Sequence, residues 1–202
     1  MKEKYFEELI GLKVGVAVTG SFCTIREVLQ EIESLVESGA DVYPILSFST
    51  GNMDTRFIGA EELKCRLKEI TGNNVITTIQ EAEPIGPKKL LDVMVVMPCT
   101  GNTMAKLANS VVDSPALMAV KSHLRNNRPV VLAVSTNDGL MGSAVNIGKM
   151  LARKNIYFVP FGQDDCINKP FSLVADFTKI CETVKEAAEG KQLQPLLIKE
   201  DK

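Results

Sequence analysis

The chain contains no tryptophan and a single histidine, and aromatic residues make up only 5% of its 202 positions. The one imidazole, His123, falls on a helix that Ser114 and Pro115 open and that we predict to be exposed to solvent. An exposed helical imidazole is usually only solvated, so neither a Ser–His nor a Cys–His pair is predicted. We therefore expect no catalytic role for this histidine.

A basic cluster is also missing, since the net charge is −2 and the pI is about 5.6. This charge balance lacks the electrostatic footprint of a nucleic-acid-binding protein. No apolar run approaches the roughly 20 residues of a membrane span, and the first residues do not have the pattern of a signal peptide. We expect a cytoplasmic protein that binds neither nucleic acid nor membrane.

The five cysteines include no Cys-x-x-Cys pair; they are Cys23, Cys65, Cys99, Cys166 and Cys181. An odd number of widely spaced cysteines indicates reduced thiols and not a disulfide framework or a zinc site. The adjacent carboxylates Asp164 and Asp165 have no further predicted ligands for a cation. No metal site is expected.

Hydrophobic residues make up 45% of the chain, enough for one full core, and we predict a single domain over residues 1–198 with a short tail at 199–202. The predicted strands are Lys13–Val18, Asp41–Leu46, Val75–Ile79, Val93–Met97, Pro129–Ser135 and Ile156–Pro160. Pro44 places the second strand near an edge or at a bulge. The alternation of strands and helices predicts an α/β fold, a Rossmann- or flavodoxin-like three-layer sandwich with a parallel central sheet.

The stretch from residue 92 to 109 carries the clearest functional signal. The continuous apolar run Val93–Met97 suits a strand buried on both faces, and a polar turn with a glycine follows it. A helix then presents one apolar face, formed by Met104, Leu107, Ala108 and Val111, and Asn102 or Thr103 could cap its first turn. Ligands bind at the carboxyl ends of such strands, where a helix start favours an anion. An ordinary polar turn is the alternative.

Two other turns offer hydroxyl groups after a strand. Thr19-Gly20-Ser21 supplies a glycine for close backbone approach and hydroxyls at a helix start, which a phosphate site requires. The turn is not Gly-x-Gly-x-x-Gly, so it does not support dinucleotide binding, and a plain helix start is the alternative. Ser47 begins a run of three hydroxyls at the end of the second strand, also suited to phosphate oxygens.

The segment from Pro98 to Ala108 resembles the signature Pro-x-Ser/Thr-x-Asn-Thr-x-Ala-Lys-x-Ala of a flavoprotein family. That family includes phosphopantothenoylcysteine decarboxylase, lantibiotic cysteine decarboxylases and flavin prenyltransferases, and this loop lies there against the FMN ring. Thr19-Gly20-Ser21 resembles its phosphate turn, Ser47 matches a position that carries Ser or Thr, and Ala133 to Asn137 resembles its Ala-Pro-Ala-Met-Asn segment. The resemblance thus implies FMN as cofactor, bound by Thr19, Gly20, Ser21, Ser47, Pro98, Thr100, Asn102, Thr103, Ser135 and Asn137.

The chain departs from this family at three points. Counting back from Asp92, Pro84 occupies the position at which the cysteine decarboxylases carry a catalytic histidine, and proline cannot transfer a proton. Thr136 replaces the methionine of Ala-Pro-Ala-Met-Asn, and residues 53–59 form an additional loop. Decarboxylase chemistry is therefore not expected, and the catalytic residues remain unknown.

Five stretches resemble one branch of the family, the B subunits of dipicolinate synthase: Ala17–Ser21, Pro98–Thr103, Arg125–Leu132, Ser135–Asp138 and Pro160–Asp165. The likeness extends over nearly all of residues 10 to 198. It implies an oxidoreductase component that acts during sporulation with the Rossmann-type A subunit of dipicolinate synthase, through which NADP could take part. The implied reaction, a branch of the lysine/diaminopimelate pathway, oxidises a dihydrodipicolinate-type dicarboxylate to dipicolinate.

The resemblance leaves several questions open. Either of the two subunits could carry the oxidation, and a non-catalytic FMN-fold scaffold or activator of the A subunit is the main alternative. An FMN-dependent decarboxylase or prenyltransferase is a further one. Lys106 is a candidate partner for a substrate carboxylate. Because members of the family assemble with the flavin at a subunit interface, the resemblance also implies a homo-oligomer.

Overall fold

A computed structural model describes residues 9–198. Residues 1–8 of the predicted domain and the predicted tail at 199–202 lie outside the described residues. The strands are β1 Lys13–Val18, β2 Asp41–Leu46, β3 Val93–Cys99, β4 Val130–Thr136, β5 Ile156–Phe158, β6 Phe161–Gly162 and β7 Leu173–Ala175. The helices are α1 Ile25–Glu37, α2 Phe48–Asn52, α3 Ala60–Thr71, α4 Ile79–Ala82, α5 Gly101–Ala108, α6 Pro115–Leu124, α7 Ala144–Leu151 and α8 Ile180–Ala188, with 3-10 turns at Phe22–Thr24, Glu83–Ile85 and Phe177–Lys179.

The sheet is mostly parallel, with the order β2-β1-β3-β4 continued by β5 against the first half of β4. The second half of β4 pairs instead with β7, which is antiparallel and pairs in turn with β6. Helices α1 and α8 pack against each other and against β3, while α6 contacts β1, β3 and β4. The predicted α/β fold with a parallel central sheet flanked by helices is confirmed.

Strand β3 forms the centre of the core. Its seven residues are all buried, as expected for a strand covered on both faces, and it extends two residues beyond the predicted end, to Cys99. β2 forms an edge of the sheet, which agrees with the presence of Pro44. No helix within residues 9–198 is long and apolar enough to cross a bilayer.

Two predicted strands were wrong in extent or kind. Val75–Ile79 is not a strand, because only Ile76 forms a bridge, with Ile45 of β2. The side chains of Thr78 and Glu81 form a capping box that starts α4 at Ile79 instead. Ile156–Pro160 was predicted as the last strand, but β5 ends at Phe158 and the β6–β7 pair follows it.

The prediction that His123 is exposed was wrong. Ser114 caps α6 as expected, accepting from the backbone N–H of Leu117, but His123 is only 1% exposed. Its Nε2 atom lies 3.0 Å from the carbonyl oxygen of Pro129, the residue before β4. Burial lowers the pKa of His123 to about 4, and the nearby Arg128 adds to this. The imidazole therefore lies at the amino end of β4 as a neutral group.

This burial predicts a specific dependence of stability on pH. The unfolded chain binds a proton at His123 near pH 6.5, but the folded chain does so only near pH 4, so protonation favours unfolding between these values. The neutral imidazole makes its full contribution to the free energy of unfolding above pH 6.5. This contribution is lost at up to about 1.4 kcal/mol per pH unit as the pH falls. Chemical unfolding of the wild type and of His123→Gln at pH 7.5 and pH 5 gives the free energy of unfolding of each protein at both values. An equal change in this free energy for the two proteins would contradict the role given to His123.

Candidate functional site

Four turns lie together at the carboxyl edge of the sheet. They follow β1, β2, β3 and β4, which run parallel, so their exits share one edge. These turns and the adjoining ends of β3, β4 and α5 contain all ten residues that the resemblance assigned to cofactor binding. Thr19-Gly20-Ser21, Ser47 and Asn102-Thr103 were predicted to converge on one pocket. They share one edge of the sheet, but only Asn102 among them lines the cleft between α5 and the turn after β4. Their role in binding stays a prediction.

Direct contacts join the β1 turn to its neighbours. The Thr19 hydroxyl donates to the carbonyl oxygen of Pro98 at 2.6 Å, which joins the β1 and β3 exits. The hydroxyl oxygens of Ser21 and Ser135 lie 3.0 Å apart, which links the β1 turn to β4. A Cβ atom placed on Gly20 would lie 3.6 Å from Cβ of Ser49, in the β2 turn. The turns after β1 and β2 and the ends of β3 and β4 therefore lie directly beside one another.

Ser47 holds the turn after β2. It caps the short helix α2, since its hydroxyl accepts from the backbone N–H of Thr50 at 3.3 Å and lies 3.0 Å from the Thr50 hydroxyl. Thr50 in turn donates to the carbonyl oxygen of Val18 at the end of β1 at 2.9 Å. Ser47 is half-buried, so its hydroxyl combines a capping role with access to the common edge.

The turn after β3 differs from the prediction in its cap. Thr100, and neither Asn102 nor Thr103, caps α5: it has extended backbone angles and its hydroxyl accepts from the N–H of Thr103 at 3.2 Å. The Asn102 side chain is exposed and makes no hydrogen bond to the described residues. Val111 lies beyond the end of α5 and is 42% exposed, so the predicted apolar face ends at Leu107 and Ala108.

An open cleft of about 530 Å³ separates the start of α5 from the turn after β4. Its lining comprises Gly101, Asn102, Ala105, Thr136, Asn137, Asp138, Gly142, Ser143 and Asn146. Asp138 is the one ionisable residue among them. The hydroxyls of Thr136 and Ser143 both donate to its Oδ1 atom, the latter at 2.8 Å, and they hold the pKa of this carboxyl below its usual range. Asp138 is therefore a fixed negative charge at neutral pH.

Sequence reasoning missed Gly101, Asp138 and Ser143 as members of this site. A Cβ atom on Gly101 would lie 2.7 Å from the hydroxyl oxygens of Ser143 and Thr136 and 3.1 Å from Oδ1 of Asp138. Only glycine allows the first residue of α5 to pack this closely against the β4 turn. The Asp138-Gly139 turn signal was present in the sequence, but the contact across to α5 is tertiary and gives no local signal.

Cys99, the last residue of β3, is not an activated nucleophile. Burial raises the pKa of the Cys99 thiol to about 12, so it does not ionise at neutral pH. His123 lies at the opposite end of β4, and the described residues contain no group of three potential metal ligands. The Lys106 ammonium lies 2.7 Å from a carboxylate oxygen of Asp113 and is thus already paired. Any proton transfer here depends on Asp138 or on groups brought from elsewhere.

Comparison with known proteins gives a consistent result. The Flavoprotein family model matches residues 3–187. The B subunit of dipicolinate synthase from Bacillus subtilis (strain 168) is 48% identical over 191 residues, covering 94% of this chain and 95% of that protein. The crystal structure of the dipicolinate synthase B subunit from Bacillus halodurans C matches with a TM-score of 0.88 and 46% identity, over 96% of this chain and 99% of that one.

A more distant structure shows the fold alone. The FMN-dependent cysteine decarboxylase SpaF has a TM-score of 0.63 and 16% identity, over 89% of this chain and 98% of that one.

The tight packing at Gly101 can be tested by a single methyl group. We expect Gly101→Ala to destabilise the protein by about 1–3 kcal/mol, because the new Cβ must displace the hydroxyls that hold Asp138. Gly148→Ala in α7 is the control: no atom lies within 4 Å of its Cβ position, and alanine favours a helix by up to about 1 kcal/mol. Equilibrium urea unfolding compares the two, and equal stabilisation by both would show that the α5 contact is looser than described.

Proposed function

Since the chain belongs to the Flavoprotein family and, within it, to the B subunits of dipicolinate synthase, we propose that it acts with a separate A subunit to oxidise a dihydrodipicolinate-type precursor to pyridine-2,6-dicarboxylate. The observation that carries the proposal is the hydrogen-bonded surface of four turns at one sheet edge, where α/β sheets bind ligands. A homo-oligomer is part of the proposal.

The residues of this edge fit FMN. Gly20 has no side chain to keep a phosphate away from the backbone, although a Cβ there would lie at an ordinary contact distance of 3.6 Å from Phe22 and Ser49. Ser21 supplies a hydroxyl at the start of the 3-10 turn that leads into α1, and Ser47 supplies one at the start of α2, where free N–H groups favour an anion. Thr19 is buried and donates to the carbonyl oxygen of Pro98, so it would hold the shape of the phosphate turn. The flavin ring would lie along Thr100, Asn102 and Asn137, which are accessible, while the buried residues Pro98, Thr103 and Ser135 would support this surface from beneath.

Bound FMN would supply a hydride acceptor, while the protein supplies orientation and electrostatics. Asn102 carries the exposed amide nearest to the start of α5, so it can orient a ring or a carboxylate at the cleft. Aromatisation of the precursor also releases a proton. Asp138 is the cleft residue that could accept this proton, although its lowered pKa makes it a weak base. NADP bound by the A subunit would be the ultimate electron acceptor.

A second candidate function is a non-catalytic partner that activates the A subunit. The observation that favours it is the absence, among the cleft-lining residues, of an acid or base with a pKa near neutrality. A decarboxylase is disfavoured because Pro84 lies in a 3-10 turn that packs on α6 and because His123 is buried at the opposite sheet edge.

FMN binding is tested by titration of the purified protein. Ser21→Ala should weaken FMN about 10- to 150-fold, since a charge-assisted hydrogen bond to phosphate contributes roughly 1.5–3 kcal/mol. Gly20→Ala should weaken it further, because its Cβ meets no protein atom closer than 3.6 Å and so would obstruct only the ligand. Ser34→Ala, on the outer part of α1, is the matched control. Unchanged FMN affinity in both site variants would show that the turn has only a structural role.

Catalytic involvement is tested with both subunits, a nicotinamide cofactor and an enzymatically generated precursor, by following the ultraviolet signal of dipicolinate. Asn102→Ala should slow its formation at least about 10-fold, because one lost hydrogen bond to a charged group is of that size. The folded state should keep its stability, since the Asn102 amide makes no bond to the described residues. Asn74→Ala, at an exposed position, is the control. Full activity of Asn102→Ala with FMN bound would favour the activator role.

A further inference from the structure

A loop between β6 and β7 lies at the same edge of the sheet as the candidate site. It comprises residues 163–172 and is here called the β6–β7 loop. β7 runs antiparallel to β4, with Val174 opposite Ser135, so the loop projects beyond the carboxyl end of β4. The backbone N–H of Leu140, in the turn after β4, donates to the carbonyl oxygen of Phe171 at 3.0 Å. The loop is therefore held against the turn after β4.

Hydrogen bonds within the β6–β7 loop fix its shape. The Oδ1 atom of Asp165 accepts from the backbone N–H of Asn168 at 2.9 Å, and the backbone N–H of Lys169 donates to the carbonyl oxygen of Asp165 at 2.9 Å. The Gln163 side chain closes the loop by donating to the carbonyl oxygen of Pro170 at 2.8 Å. Lys169 thus extends from a backbone turn that is formed before any ligand binds, which lowers the entropic cost of using its ammonium group.

The Lys169 ammonium lies close to the turn after β1. Its Nζ atom is 2.9 Å from Oδ2 of Asp164, and the side chain is 53% exposed. Asp164 above all, and then Asp165 and Cys23, raise the pKa of Lys169, so the ammonium is within electrostatic reach of the Cys23 thiol. Cys23 follows Ser21 by two residues, and its Sγ atom lies 3.7 Å from the Ser21 hydroxyl oxygen. A flexible lysine side chain at this place can turn from Asp164 to a ligand on the β1 turn.

The proposed phosphate turn has no cation of its own. None of the ten residues assigned to cofactor binding is positively charged, whereas a phosphate monoester carries a charge of about −1.5 to −2 near neutral pH. Arg26, in the first turn of α1, is the nearest basic residue along the chain, but it lines the groove between α1 and α3 with Phe57 and Glu62. Lys169 is therefore the residue placed to balance a phosphate charge at this turn.

We propose that Lys169 binds the phosphate group of FMN at the Thr19-Gly20-Ser21 turn, exchanging the Asp164 carboxylate for the phosphate. The inference rests on the proposed function and deepens it, because it assigns the cation of that site. A charge-assisted N–H···O bond is roughly twice as strong as a neutral one, and lysine binds phosphate as a point charge. The β6–β7 loop would then close one side of the cofactor site.

Ser172 provides a partner for the carboxylate that Lys169 leaves. Its side chain is 1% exposed, and its hydroxyl has no hydrogen-bond partner within the described residues. This hydroxyl lies within electrostatic reach of the Asp164 carboxylate. Because a buried hydroxyl without a partner is costly, a bond from Ser172 to Asp164 would favour the exchange.

The first test compares FMN with riboflavin, which has the same ring but no phosphate. Lys169→Met should raise the dissociation constant of FMN about 10-fold and leave that of riboflavin unchanged, because only the phosphate loses a partner. Lys191→Met is the matched control, since Lys191 also forms an exposed ion pair, with Glu189, but lies after α8. Flavin fluorescence titration at fixed ionic strength gives these constants. Unchanged FMN affinity, or an equal loss for both flavins, would overturn the proposal.

The second test breaks the Lys169–Asp164 pair from its other side. Asp164→Asn should tighten FMN binding about 3-fold, because it frees the ammonium and removes a negative charge near the phosphate. Adding Lys169→Met to Asp164→Asn should abolish this gain. If the pair only supports the loop, the two single variants should weaken FMN binding alike, and the proposal fails.

Two further outcomes separate this inference from the proposed function. Wild-type protein that binds no FMN, alone or with the A subunit, would contradict both. If Lys169→Met binds FMN as tightly as the wild type but binds dipicolinate more weakly, Lys169 takes a substrate carboxylate. The proposed function then stands, and the assignment of Lys169 to the phosphate is wrong.

Discussion

The complete burial of β3 between β1 and β4 determines where the turns of the candidate site can lie. A strand with both faces covered and two parallel neighbours cannot shift in register without moving its apolar side chains out of the core. Its carboxyl end is therefore held level with the carboxyl ends of β1 and β4. The hydrogen bond from Thr19 to the carbonyl of Pro98 joins two of these exits, and the Ser21–Ser135 contact joins the β1 and β4 exits. The register of the parallel strands thus fixes the position of the candidate site.

The features that the sequence predicted well are those set by local pattern and by burial. β1 and β2 have their predicted bounds, and the β3 run was identified because a fully buried parallel strand is continuously apolar. The errors arose where a second local signal or the tertiary packing overrode the expected pattern. Val75–Ile79 has the composition of a strand, but the capping box of Thr78 and Glu81 takes its last residue into a helix. His123 has a polar side chain, yet α6 packs it against the carbonyl of Pro129.

The candidate site shows the same division. Its hydroxyl turns could be located from the sequence, because each follows a strand and a shared edge is a rule of parallel sheets. The cap of α5 was placed two or three residues too late, since Thr100, Asn102 and Thr103 are all acceptable caps and only the backbone angles decide between them. Asp138 and Gly101 could not be paired from the sequence, since their contact depends on how closely α5 approaches the β4 turn. Such a distance is a property of the packed structure.

The hydrogen bonds of the site indicate what kind of work it can do. The hydroxyls of Thr19, Ser47 and Thr100 are already engaged with backbone groups, and these bonds fix the shape of the turns before any ligand arrives. Hydroxyl groups fixed in this way do not act as acids or bases at neutral pH. The one charged group of the cleft, Asp138, is held in its ionised form by two hydroxyl donors. A reaction that removes both a hydride and a proton therefore needs an electron acceptor bound on these turns or in a partner.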